Sequence, residues 1–312
     1  MKHPSRLAIL LAFAGVYVIW GSTYLAILFA IGSIPPLVMA GARFLTAGVI
    51  LYAIARIGGA VRSSLLQWRT AAIVGACLLL GGNGGVTLAE QYVPSGVAAL
   101  LVATVPLYIA LLSWLFGMAE RPTALAALGL AGGFVGVGVL VGPALHLSGE
   151  NESPHAGLGM MILLFSSLIW SAGSLYSRKA KNAESPFLAA GQQMLCGGAL
   201  MFAIGVLRGE LSHFDASQIT PLSLGAFVYL VLIGGIGGYA SYAFLLRYCD
   251  PSKVATYAYV NPVVAVLLGA AFAGEKLTGR TMLAAALIIG SVGVVISAGQ
   301  RKAPAVPLAV PD

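Results

Sequence analysis

Ten apolar stretches, each long enough to cross a lipid bilayer, divide the 312-residue chain. They run 7–31, 35–57, 69–90, 94–118, 122–142, 156–178, 186–207, 221–246, 251–273 and 279–299. A helix needs about 20 apolar residues to span the hydrocarbon core, and irregular backbone cannot face lipid there. The pattern therefore predicts an all-α polytopic membrane protein with ten transmembrane helices. Composition agrees: 59% of residues are hydrophobic and only 9% charged, against about 25% charged in a soluble domain. The first stretch has no AxA-like cleavage site and nine more follow it, so it reads as a retained helix rather than a signal peptide.

The net charge of +7 raises the possibility of a nucleic-acid partner, but its placement explains it otherwise. An even number of spans puts both termini on one side. Thirteen basic residues fall on that side: Lys2, Arg6, Arg56, Arg62, Arg69, Arg121, Arg178, Lys179, Lys181, Arg247, Lys253, Arg301 and Lys302. Three fall on the other: Arg208, Lys276 and Arg280. The positive-inside rule then makes both termini cytoplasmic, and no nucleic acid is needed.

The three cysteines, Cys77, Cys196 and Cys249, lie in or at the end of apolar runs with no metal-ligand spacing. All four histidines sit in a terminus or a loop. Neither a metal nor a cofactor is expected. No Ser/His, HExxH or paired-aspartate arrangement falls within a span, which argues against an intramembrane enzyme. A receptor or assembly scaffold is a further class, but the longest loops hold only about a dozen residues, too few for a signalling domain.

Landmarks recur in order when the chain is offset by 150–157 residues. IWGS at 19–22 faces IWSAGS at 169–174, and GGNGG at 81–85 faces GGIGG at 234–238. YVPSGVAA at 92–99 faces YCDPSKVAT at 248–256, VPL at 105–107 faces NPV at 261–263, and AERPT at 119–123 faces GEKLT at 274–278. The division is 1–150 and 151–312, five spans in each half. Five is odd, so the second half enters the membrane from the opposite side. Such inverted repeats are common in secondary transporters, with a substrate site near the midplane between the halves.

The glycine runs fall about 12 residues into the third and eighth spans, near mid-bilayer at about 1.5 Å per residue. Gly81, Gly82, Gly84 and Gly85, with Gly234, Gly235, Gly237 and Gly238, suit either close helix packing or a bend used in gating. Pro106 and Pro262 lie inside spans four and nine, where each frees a carbonyl and predicts a kink, with a hinge as the functional reading. Trp20 and Trp170 hold matching places in spans one and six, too deep for an interfacial belt; they are either packing residues or walls of a cavity. Tyr24 and Ser174 each lie one turn beyond. Asn83 and Thr87 form a polar stripe with Glu90 or Gln91, and Tyr239, Tyr242, Tyr257 and Asn261 complete the substrate-binding candidates. Arg43 is the one basic residue well inside a span. A buried charge needs a partner, which is either backbone carbonyls or Glu90, or else the carboxylate of a substrate.

The segments IWGSTYLAILFAI, IPPLVMAGARF, GNGGVTLAEQYVPSGVAALLVATVPL, YAYVNPVVAVLLG and GEKLT resemble the EamA-type transporters of the drug/metabolite transporter superfamily. The resemblance covers nearly the whole chain. It implies two inverted five-helix units in a bacterial inner membrane, with spans 1, 3, 4, 6, 8 and 9 around a central cavity. It also implies export of small metabolites, amino acids first among them; a multidrug or other-metabolite (nucleotide-sugar-like) exchanger is the alternative. Small four-helix members of the superfamily couple to protons through a glutamate in the first span, where this chain has no carboxylate. The expectation is therefore facilitated export or exchange. The partners expected are a small-molecule substrate and the lipid bilayer, with the oligomeric state open.

Overall fold

The computed structural model describes residues 5–145, 155–212, 214–249, 254 and 256–300. Lys2, Lys253, Arg301, Lys302 and the loop residues His146 and Glu150 lie outside them. The described residues form helices without strands. Nine helical segments are long and apolar enough to cross a membrane, and a tenth, Tyr257–Phe272, is apolar but shorter. This is a polytopic membrane fold.

Helix α1 spans Arg6–Ala30 and α2 Pro36–Ile57. The third span has three parts: α3 (Leu65–Gly75), a π-helical run π1 (Ala76–Gly84) and α4 (Gly85–Ala89). The fourth is broken into α5 (Ser95–Val102) and α6 (Val105–Leu115). Then follow α7 (Ala124–Leu145), α8 (Ala156–Lys179) and α9 (Pro186–Leu207). The eighth span repeats the three-part plan: α10 (Pro221–Tyr229), π2 (Leu230–Gly237) and α11 (Gly238–Tyr248). Helices α12 (Tyr257–Phe272) and α13 (Gly279–Gln300) close the chain.

Local chemistry starts several of these helices. Ser64 and Gln67 form a reciprocal capping box at α3, and Ser185 and Thr220 accept amides at the starts of α9 and α10, each followed by a proline. Among the helices without a cap of their own, two stand out. Both α2 and α5 follow a proline that offers no side-chain acceptor. Carboxylates from distant sequence fill the role. Glu210 accepts from the amides of Leu37 and Val38 at 2.9 and 3.0 Å. Glu275 accepts from Ser95 N at 2.6 Å, Ser95 Oγ at 2.7 Å and Gly96 N at 3.0 Å. Gly274, at φ +66°, turns the chain so that Glu275 can reach back.

Each helix of the first half packs on helices of the second. Helix α2 lies along α9, α7 along α13, α1 along α12 and α11, and α8 along α6 and π1. Glycines allow the close approach. A methyl group at Gly48 would come 2.9 Å from the Leu195 amide nitrogen, and one at Gly198 would come 2.8 Å from that of Leu45. The largest buried apolar cluster runs through Ala26, Ile27, Ala30, Ile34, Val86, Ala89, Val93, Val97 and Leu100, with Met160, Leu163 and Ala226. It lies where α1 and α4 end and α5, α8 and α10 begin. That face, which also holds both borrowed caps, is the sealed face of the molecule.

Candidate substrate site between the two halves

Trp20 and Trp170 occupy corresponding settings. Trp20, on α1, lies against Gly238 of α11: a methyl group there would come 2.7 Å from Trp20 Cδ1. Trp170, on α8, lies against Gly82 of π1: a methyl group there would come 3.3 Å from Cζ3 and closer still to Cε3. In each case an indole from one half rests on a glycine of the other. Neither indole is fully buried.

Two predicted aromatics gather around Trp20. Its ring centroid is 5.2 Å from Tyr242 and 5.2 Å from Tyr257, and those two tyrosines are 5.9 Å apart. The arrangement joins α1, α11 and α12 through tilted and edge-to-face packing, which the ring quadrupoles favour. Tyr17, one turn earlier, bonds through its hydroxyl to Thr256 Oγ1 at 2.5 Å. The Asn261 amide nitrogen, in the orientation that satisfies both ends of the group, donates to the carbonyls of Tyr257 and Tyr17 at 3.2 Å each. Asn261 thus ties α12 to α1. Tyr239 lies apart from this cluster, donating from its hydroxyl to the Pro186 carbonyl at 2.9 Å.

Two further candidates are already engaged by their own helices. Thr87 is fully buried and its hydroxyl donates to the Asn83 carbonyl at 2.9 Å. Ser174 donates to the Trp170 carbonyl at 2.8 Å. These i−4 bonds are the usual refuge of a hydroxyl in a helix.

Arg43 is 4% exposed and donates through Nη2 to Asn83 Oδ1 at 3.2 Å, with its guanidinium carbon 4.4 Å from the Phe44 ring centroid. Its hydrogen bond goes to Asn83, and Glu90 lies near enough to act on its charge. Among the described residues Arg43 Nε has no hydrogen-bond partner, and neither carboxylate oxygen of Glu90 has one, although Glu90 is only 3% exposed.

Both glycine runs lie in or at the end of a π-helix, a conformation more specific than the packing or bend expected of them. Pro106 does more than kink its helix: the α-helix stops at Val102 and restarts at Val105. Serines of α8 cover the break. Ser167 donates to the Leu101 carbonyl at 3.4 Å and Ser171 to the Val105 carbonyl at 3.2 Å. Pro262 stays within a continuous helix. Sequence reasoning did not single out those serines, nor the Ser22–Tyr229 hydroxyl pair at 2.6 Å, nor Glu210 and Glu275 as caps. The missing signal was a PPL or PSG helix start with no acceptor before it.

An all-helical membrane protein whose halves meet through paired aromatic and glycine positions has the architecture of a transporter. The comparisons give the family. The model of the EamA-like transporter family matches twice, at residues 6–142 and 157–297, and the chain belongs to that family. It is 37% identical to the inner membrane transporter YedA of Escherichia coli K12, over 100% of this chain and 97% of that protein. It is 27% identical to a probable amino-acid metabolite efflux pump of Salmonella typhimurium LT2, over 89% of this chain and 91% of that protein. A solved crystal structure shares the fold with a TM-score of 0.61 at 23% identity, covering 93% of this chain and 98% of its own. The family is one of transporters, and this protein is a transporter rather than an enzyme.

Proposed function

We propose that this transporter exports small metabolites, amino acids first among them, by alternating access between two inverted five-helix halves, 1–150 and 151–312. The observation that carries the reading is the reciprocal seating of Trp20 on Gly238 and Trp170 on Gly82. Two equivalent aromatic walls, each contributed by one half and resting on the other, are what a site shared between inverted repeats requires. The two separate family matches support the division into halves. The name of the Salmonella relative supports the substrate class.

In this reading the substrate lies between the indoles, with Tyr24, Tyr242 and Tyr257 beside it and the Arg43–Asn83 pair on the side of the sealed face. Thr87 and Asn261 act as supports, since their polar atoms already have partners. The membrane is the bacterial inner membrane, as for the Escherichia coli relative, with both termini cytoplasmic. That orientation makes the sealed face the outer one. The three-ring cluster of Trp20, Tyr242 and Tyr257 also suits a planar apolar compound, so a multidrug or other-metabolite carrier is the second reading.

Counterflow in proteoliposomes with a panel of labelled amino acids tests the proposal. Exchange of at least one member, inhibited by the unlabelled compound, is expected. Counterflow of none of them, with planar cations exchanged instead, would replace the first reading by the second.

A further inference from the structure

Glu90 is out of keeping with its surroundings. It follows α4 directly and its backbone amide bonds to the Val86 carbonyl at 3.0 Å, so its position is fixed by the helix. The residues around it in sequence, Val86, Ala89 and Val93, belong to the main apolar cluster. Glu90 is 3% exposed, and neither oxygen has a hydrogen-bond partner among the described residues. An ionised carboxylate buried without hydrogen-bond donors costs far more than a neutral one.

Of the groups that face it, only Arg43 offsets this, and only in part. From α2, Arg43 lies near enough to act on it, but its Nη2 is given to Asn83 and its guanidinium to the Phe44 ring. From α1, Tyr24 is the one titratable side chain that senses it. Beyond α12, Glu275 adds a like charge, held at the start of α5. His155, just before α8, packs 5.9 Å from Tyr92. Helix α5 brings no titratable side chain.

We propose that Glu90 is a proton-binding site that locks the sealed face: its carboxylate takes up one proton as that face closes and releases it to water when the face opens. The balance is simple: the carboxylate and a hydronium ion give the carboxylic acid and water. The charge of Arg43 is unaffected. By linkage, whatever favours the protonated form favours the closed face, so external acid holds the outer side shut and alkali loosens it. The open–closed equilibrium then depends on external pH, although the first span holds no carboxylate.

The proposal rests on the alternating-access reading above, but its test needs no substrate. Val93, 4% exposed in the closed face, is replaced by cysteine in a chain with Cys77, Cys196 and Cys249 changed to serine. Labelling by a membrane-impermeant maleimide is followed in intact cells from about pH 6 to about pH 8. Each rate is divided by that of Glu90→Gln in the same background, which cancels the intrinsic pH dependence of the thiol. The ratio should rise several-fold with pH, because the amide stays neutral and keeps the face shut. A ratio that stays flat overturns the proposal, even if amino-acid counterflow succeeds. Glu90→Leu, also unable to titrate, gives the same comparison if the glutamine variant does not fold. A retained pH response with the leucine variant likewise overturns it.

Discussion

Gly237 and Gly238 are adjacent on one helix and differ in what lies over them. A methyl group at Gly237 meets nothing closer than the Leu232 carbonyl at 3.5 Å, whereas one at Gly238 meets Trp20 Cδ1 at 2.7 Å. Gly238→Ala should therefore lower the detergent melting temperature by the equivalent of about 1–3 kcal/mol, the usual cost of overpacking. Gly237→Ala should leave it unchanged or raise it. Equal effects would mean that the indole does not rest where described. The tryptophans themselves separate two roles. As cavity walls, Trp20→Ala and Trp170→Ala should weaken substrate binding more than they lower stability. As packing residues, each would cost about 3–5 kcal/mol of stability with affinity unchanged. Measuring melting temperature and affinity on the same preparations decides it. The depth of these two residues was legible because an apolar span fixes depth by counting. Their glycine seats were not, because which residue faces a tryptophan across a helix pair depends on how two distant spans cross.

Most helix boundaries were legible to within a few residues, since proline, glycine and charge mark span ends directly: α9 begins at Pro186 and ends at Leu207, as expected of 186–207. What the sequence did not reveal is how spans three, four and eight are built inside. A glycine run is compatible with α-helix, bend or π-helix, and the choice is made by the neighbours that crowd it. The break at Thr104 depends on serines contributed by α8 from across the halves. The π runs carry a prediction. Their i→i+5 bonds close wider turns with poorer geometry, and runs this long are uncommon. Peptides covering 76–84 and 230–237 should exchange amide hydrogens faster than the equally embedded α2 and α9, with reduced protection confined to the two runs. Uniform protection along the third span would argue that the run is α-helical in the bilayer.

For the molecule as a whole, the two carboxylates that cap foreign helices join the halves at one face. Glu210 belongs to the second half and holds α2 of the first; Glu275 does the same for α5. Neither tie was legible, because each spans more than 170 residues of sequence. Glu275→Ala removes an acceptor from two backbone amides and a hydroxyl, a loss of about 1–3 kcal/mol for groups left without partners. In a two-state transporter that loss falls on the closed state alone. External labelling of the Val93→Cys variant should rise several-fold while the melting temperature changes little. Unchanged labelling would make Glu275 a cap that persists in both states.

The paired π runs also change how this family should be read on paper. A helical wheel drawn at constant pitch through residues 65–89 falls out of phase at Ala76, where each turn begins to hold more residues, and every position after Gly84 is plotted on the wrong side. Alignments that place a one-residue gap inside the GGNGG or GGIGG runs would then be physically sensible, since a π turn can shorten to an α turn and restore the phase beyond it. The same gap in α2 or α9 has no such slack to draw on, and would swing the rest of the helix away from its partner.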